Sequence, residues 1–192
     1  MTSSPDVSIV IVTWNGREHL DACLTAVAAQ EGVAAETILV DNGSTDGTVE
    51  HVGARYPWVK LVALRENRGF AAGTNAGVRE ARGRLVAFLN NDTVADRRWL
   101  RTLLDNVDES GPFVLATSLV VYMHDPQLVD SAGDGLLRAG GAFKRHHGER
   151  IDVALEPAEV FGVSGAACLM PRGVFDELRS EEHTSDAPGR LR

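Results

Sequence analysis

Leu85-Val86-Ala87-Phe88-Leu89-Asn90-Asn91-Asp92-Thr93 is an apolar run of strand length that stops abruptly in two amides and a carboxylate. A short, continuously apolar run reads as a strand buried on both faces, the kind that builds parallel sheets. Open α/β sheets bind their ligands just beyond the carboxyl ends of such strands. The polar end at 90–92 therefore marks a place for chemistry. Taken alone, Asp92 reads equally well as the N-cap of a following helix. Repetition decides against that: the same pattern occurs twice more upstream.

Val7-Ser8-Ile9-Val10-Ile11-Val12 ends in Thr13-Trp14-Asn15-Gly16, and Thr37-Ile38-Leu39-Val40 ends in Asp41-Asn42-Gly43-Ser44-Thr45-Asp46-Gly47. Both runs have the β-branched content of buried strands and end in small polar residues and glycine. Between them Leu20, Cys23, Leu24 and Val27 keep the i, i+3, i+4, i+7 spacing of an amphipathic helix. A second helix is expected after Asp46, turning Val49, Val52 and Tyr56 inward until Pro57 stops it. Residues 59–64 read as a strand, 71–81 as a helix, and 99–107 as a helix with Leu100, Leu103, Leu104 and Val107 on one face. Strands alternating with helices predict βαβ units and a mainly parallel sheet, with the polar strand ends gathered along one edge.

The bulk properties suit an enzyme domain. The chain has 192 residues, 44% of them hydrophobic, enough for one domain with a real core. A net charge of -8 argues against unspecific binding to nucleic acid or anionic lipid. Cys23 and Cys168 are far apart, and Cys23 falls on the buried helix face. They read as core residues in a reducing compartment, neither a disulfide framework nor a metal site. The first six residues are polar, and no apolar run approaches the ~18 residues of a membrane span. Neither a signal peptide nor a transmembrane helix is expected.

Four motifs now fall in register: residues 7–16, residues 40–48, Glu66-Asn67-Arg68-Gly69-Phe70-Ala71-Ala72-Gly73-Thr74-Asn75-Ala76-Gly77, and Leu89-Asn90-Asn91-Asp92-Thr93. In order and spacing the chain resembles the family-2 glycosyltransferases over residues 7–178, most closely the rhamnosyltransferase-like branch that works on bacterial cell-surface polysaccharides. The resemblance implies the GT-A fold, a Rossmann-like, mainly parallel sheet with helices on both faces, here incomplete at the C-terminus. It implies a single domain over 1–178, with a nucleotide-sugar-binding half at 7–112 and the start of an acceptor half at 113–178.

It also implies a site. In the family the aspartate matching Asp41 accepts a hydrogen bond from a pyrimidine N–H, with Thr13 and Asn15 beside the base. A site built around such an acceptor rejects bases without the donor. Asn42 belongs to the same strand end, Gly43 allows close backbone approach, and Ser44 is a further contact; Ser44 or Asp46 alternatively caps the following helix. Asn67, Arg68 and Gly69 precede a helix whose N-terminus attracts anionic groups; Arg68 reads equally as a solvated surface arginine. Asn75 lies further along that helix, facing either the pocket or water.

Asn90-Asn91-Asp92 stands where the family carries Asp-x-Asp, so the implied cofactor is Mg²⁺ or Mn²⁺ on Asn90 and Asp92, with Asn91 and Asp92 near the diphosphate. The first carboxylate is replaced by Asn90, leaving one charged ligand. Mg²⁺ commonly uses one or two protein carboxylates plus phosphates.

The acceptor side is expected to begin with a strand over 113–122. A hairpin or flap over 123–157 follows, with His146 and His147 solvated and unsuited to a joint metal site. Residues 160–172 match the family strand below the acceptor pocket. The implied partners are a nucleotide-diphosphate sugar and a glycan or polyprenyl-linked acceptor, with no nucleic acid. The implied place is the cytoplasm, with peripheral contact at the inner face of the cell membrane, although no basic amphipathic helix supports that contact.

The family's general base, an Asp or Glu needed to take the acceptor's proton, belongs beyond Leu178. There Arg179-Ser180-Glu181-Glu182-His183-Thr184-Ser185 resembles the translation of a sequencing-library adapter. Residues 179–192 are thus expected to be a non-native or disordered tail, and no catalytic base is assigned. Two functions follow: a glycosyltransferase, inverting at the sugar, or a nucleotide-sugar-binding fragment without catalysis. A sugar-phosphate nucleotidyltransferase would want a Gly-rich, basic loop after the first strand, where Thr13-Trp14-Asn15-Gly16 offers only Arg17.

Overall fold

The computed structural model describes residues 4–107, 115–152 and 156–178. Its first part alternates strand and helix: β1 (Val7–Thr13), α1 (Arg17–Ala28), β2 (Ala35–Asp41), α2 (Thr48–Arg55), β3 (Lys60–Ala63), α3 (Phe70–Arg79), β4 (Leu85–Leu89) and α4 (Trp99–Asp105). The second part holds β5 (Ala116–Thr117), β6 (Val120–Val121), β7 (Val129–Ser131), β8 (Asp134–Leu136), β9 (Ala142–Lys144), β10 (Ala167–Pro171) and α5 (Arg172–Leu178). One six-stranded sheet organises the molecule, in the order β3-β2-β1-β4-β10-β5. β3, β2, β1 and β4 run parallel, and β10 enters antiparallel between β4 and β5. Strand order reverses direction between β1 and β4, which is the switch point where such sheets bind ligands.

Both faces of the sheet are covered, which explains the unbroken apolar runs. Side chains alternate along a strand, so Val7, Ile9 and Ile11 of β1 face α1, α2 and α4, packing with Leu20, Leu24, Val52 and Leu100. Val10 faces the other way, toward Val78 of α3 and the neighbouring Ile38, Val40, Val86 and Cys168. The two cysteines are free, buried and on opposite faces of the sheet. Burial pushes both thiols up to about 12, so they behave as core residues, as the sequence suggests.

Helix α3 lies unusually close to its strands because glycine faces them. A Cβ on Gly77 would sit 2.5 Å from Val10 Cγ1, and one on Gly73 would sit 2.7 Å from Val12 Cγ1. This close packing brings the first turn of α3 over the polar ends of β1 and β2.

The expected elements of the first part appear: β4 has the expected bounds, β1, α1 and β2 reach one to three residues beyond the runs read from the sequence, and β3, α3 and α4 end one or two residues short of theirs. Beyond residue 107 the structure corrects the sequence reading. The expected strand over 113–122 is two separate two-residue strands in different sheets, broken at Ser118-Leu119; Phe113 and Val114 lie outside the described residues. The flap is two small antiparallel pairs, β6-β7 and β8-β9. His146 and His147 lie in the turn after β9, His146 with φ 57. In the segment 160–172 the strand is Ala167–Pro171; Gly162 makes an isolated bridge to Asp134, and Arg172 already begins α5. The tail at 179–192 lies outside the described residues. No helix among the described residues is long and apolar enough to cross a membrane.

Candidate functional site

The register sets Thr13 beside Asp41 and Asp41 beside Ala63, so three strand ends finish level at one edge. Asp41 is 2% exposed. Its Oδ2 accepts the Ser44 backbone N–H at 3.1 Å, while its Oδ1 is buried and has no hydrogen-bond partner. Buried polar atoms are rarely left so, and a carboxylate oxygen can only accept. The site holds a buried, open acceptor.

Much of the remaining polar edge is engaged with itself. Asn15, at φ 50, donates its N–H to Ser44 Oγ at 2.8 Å and accepts Thr45 N–H on Oδ1 at 2.8 Å, stitching the β1 and β2 loops together. Asn91 Nδ2 donates to Thr13 Oγ1 at 2.9 Å across the switch point. A Cβ on Gly16 would lie 2.1 Å from that nitrogen, a constraint invisible in sequence. Asn42 is buried and binds the 67–69 loop through three hydrogen bonds, Nδ2 to Asn67 Oδ1 and to the Gly69 carbonyl, and Oδ1 from Arg68 N–H, all at 3.0 Å. Gly43, at φ 77, lets the Glu66 backbone approach to 2.6 Å of where a Cβ would stand. Gly69, at φ 85, enters α3. Asn75 is buried in that helix, where it has partners of its own.

Neither of the two candidate caps is the N-cap of α2, which is Gly47, but Asp46 just before it holds the start of that helix. Its Oδ1 accepts Thr48 N–H at 3.1 Å and Thr48 Oγ1–H at 2.6 Å, and its Oδ2 accepts Arg17 N–H at 3.0 Å. Burial raises its pKa, but these hydrogen bonds outweigh burial and hold the carboxyl below its ordinary value. Behind it, Asp21 on α1 receives the Tyr56 hydroxyl at 2.5 Å, with His51 Nε2 2.7 Å away, and lies lowered for the same reason.

The end of β4 is anchored through its backbone: Asn90 N–H donates to the Ala166 carbonyl at 2.8 Å, and its own carbonyl faces Cys23 Sγ at 3.7 Å. That leaves the Asn90 side chain half-buried and Asp92 exposed. Both line a cleft of about 1460 Å³ that continues past Val94 to Met123 and Phe161 of the second part. Among the described residues no group of three or more His, Cys, Asp or Glu gathers as a metal site. One carboxylate and one amide oxygen fit a divalent ion whose shell is completed by phosphates, as Mg²⁺ is usually held. The sequence does not disclose the contacts that Gly16, Ala166 and Cys23 make here, which arise only when the ends of β1, α1 and β10 converge on Asn90 and Asn91.

An open sheet of this order, with its polar edge at the β1/β4 switch point and an antiparallel strand beside β4, defines a GT-A domain. The chain belongs to the family described as "Glycosyl transferase family 2", whose model matches residues 8–179. It is 35% identical over 122 residues to the succinoglycan biosynthesis protein ExoO of Rhizobium meliloti (strain 1021), covering 63% of this chain and 35% of that protein. Its fold is similar to that of the mannosyltransferase PcManGT from Pyrobaculum calidifontis in complex with GDP-Man and Mn²⁺. The TM-score is 0.63 at 22% identity, over 92% of this chain and 47% of that one. It is similar also to residues 1–349 of S. aureus TarS in complex with UDP, at TM-score 0.61 and 19% identity, over 90% and 48% of the two chains. The chain thus spans about a third to a half of the length of these relatives.

Proposed function

We propose that residues 7–112 bind the nucleotide of a nucleotide-diphosphate sugar and that residues 113–178 begin the acceptor side. The observation that carries this reading is the unpartnered, buried Oδ1 of Asp41. An acceptor-only oxygen at a strand end takes a ring N–H, which uracil, thymine and guanine have and cytosine and adenine lack. The solved relatives' complexes with UDP and with GDP-Man are in keeping with that choice. Thr13, Asn15, Asn42, Gly43 and Ser44 frame the base, Asn67, Gly69 and Asn75 flank the nucleotide from α3, and Asn91 and Asp92 face the diphosphate.

Asn90 and Asp92 are the residues that would hold Mg²⁺ or Mn²⁺, and the ion supplies positive charge to the leaving diphosphate. The reaction is an inverting displacement. The acceptor hydroxyl oxygen bonds to the anomeric carbon, and the bond from that carbon to the diphosphate oxygen breaks with its electron pair. The hydroxyl proton passes to a base, a role assigned to none of the described residues. The cleft running from Asp92 to Met123 and Phe161 is the place for the acceptor, a glycan or polyprenyl-linked glycan of a cell-surface polysaccharide, met at the inner membrane face. The succinoglycan relative supports that substrate class.

Titration of the chain with UDP and with GDP, each with and without Mn²⁺, tests the donor site, and no binding of either overturns the reading. Asp41→Asn is the sharper probe. Ser44 N–H must still be accepted, which turns the new amide's oxygen inward and its NH₂ toward the base, donor against donor. Affinity is expected to fall roughly a hundredfold.

A further inference from the structure

The hydrogen bonds around Asn42 and Asn67 fix which end of each amide points where, with no freedom left over. Amide oxygen and nitrogen are assigned from the network they join, and here three backbone groups of known polarity anchor it. Gly69 N–H is a donor, so the Asn67 atom 2.9 Å from it is Oδ1. The Asn42 atom 3.0 Å from that oxygen must therefore be Nδ2. The same nitrogen faces the Gly69 carbonyl, an acceptor, at 3.0 Å. The other Asn42 atom faces Arg68 N–H, a donor, at 3.0 Å and must be oxygen. All four contacts agree. Asn67 Oδ1 is thus turned inward, accepting two hydrogen bonds. Its Nδ2 takes no part in that network, and the residue is exposed at the mouth of α3.

We infer that Asn67 Nδ2 is a donor aimed at an oxygen of the bound nucleotide, and that Asn42 is the positioning residue that sets its polarity. The inference rests on the donor-site reading above and deepens it. The oxygen recognised is an acceptor on the base, ribose or diphosphate. Asn42 is 3% exposed and spends both amide hydrogens and its oxygen on the 67–69 loop, so it acts through Asn67 and the loop. Only an amide serves at position 42: a carboxylate would set oxygen against Asn67 Oδ1 and the Gly69 carbonyl.

Asn67→Asp is the decisive substitution. A carboxylate still accepts from Asn42 Nδ2 and Gly69 N–H, so the loop and the melting temperature are preserved, but the donor at Nδ2 becomes an acceptor. Binding of UDP with Mn²⁺ is measured by calorimetry for wild type, Asn67→Asp, Asn67→Ala and Asn42→Asp, and binding of uridine and of GDP alongside. Affinity for the recognised ligand is expected to fall about tenfold or more in all three variants. A loss seen with uridine as well as UDP places the oxygen on the nucleoside; a loss confined to UDP places it on the diphosphate.

In ¹⁵N-correlated spectra the Asn67 side-chain NH₂ pair of the wild type should shift on titration, and in Asn42→Asp it should no longer respond. Wild-type affinity in both Asn67 variants, or a silent Asn67 NH₂ pair in a saturated wild-type sample, overturns the inference. Failure of the wild type to bind any of the nucleotides is a different result, since it refutes the donor site itself. If Asn42→Asp does not fold, the Asn67 variants decide alone, because that side chain is exposed.

Discussion

Residues 7–107 and residues 115–178 both contribute strands to the six-stranded sheet, yet they are built differently. In the first, β1 and β2 are seven residues long, and all five residues of β4 are buried. The large side chains Ile9, Ile11, Leu24, Ile38 and Leu39 are almost wholly enclosed. In the second, five strands have two or three residues, and Met123 and Phe161 are 66% and 70% exposed. β10, with Leu169 fully buried, ties this part into the core, helped by Ala116 of β5 and by Phe175 of α5 against Phe88. The first part makes its own interior and can therefore hold a polar edge rigidly. The second takes its order mainly from β10, in keeping with the acceptor side proposed for it.

The largest test of this contrast pairs Ile9→Ala with Phe161→Ala. The first should cost about 2–5 kcal/mol in urea unfolding, because it opens a cavity between β1 and the helices. The second should lie within about 0.5 kcal/mol of wild type, and equal costs would break the contrast. Gly43→Ala comes next, at about 1–3 kcal/mol, since φ 77 and the Glu66 backbone 2.6 Å away both oppose a Cβ; nucleotide titration of the same variant should show weakened binding.

Asp46→Ala is expected to cost about 1 kcal/mol through the hydrogen bonds lost from Thr48 and Arg17. This residue also carries a pH signature. Its carboxyl lies below the ordinary value of 3.8 in the folded chain, so its contribution is complete above that value and fades as pH falls through the lower, folded one. Melting temperature followed from pH 7 down to pH 2 should drop less steeply in Asp46→Ala than in wild type. Smallest is Lys144→Ala in the second part, where the surface pair with Asp130 at 2.8 Å should be worth about 0.2–1 kcal/mol, read from the same melting curves.

The contrast also marks what the sequence discloses. Val7 to Thr13 and Leu85 to Leu89 announce themselves because burial on two faces leaves an unbroken apolar record, and Leu20, Cys23, Leu24 and Val27 are spaced by the helix. Where strands shrink to Ala116–Thr117 and Val120–Val121, local propensity no longer decides, and pairing with distant β10 and β7 does. The polar edge is legible as a location but not as a wiring scheme. Asn42, Asn67 and Asn91 have the residue types of ligand contacts, and amides at strand ends satisfy neighbouring backbone as readily as a nucleotide. Only coordinates show Asn91 spent on Thr13 and Asn42 spent on the 67–69 loop. The unpartnered Asp41 oxygen is likewise a property of packing.

The position of β10 has a consequence for how the molecule is made. β5 touches the sheet solely through β10, whose residues follow it by some fifty positions in the chain. During synthesis from the N-terminus the four parallel strands and their helices can assemble as soon as β4 emerges to pair with β1. β5 then waits unpaired until Ala167–Pro171 arrives to fill the gap beside Leu85–Leu89. β10 emerges later than all four parallel strands, so their polar edge should be in place before the second part has a strand to rest on.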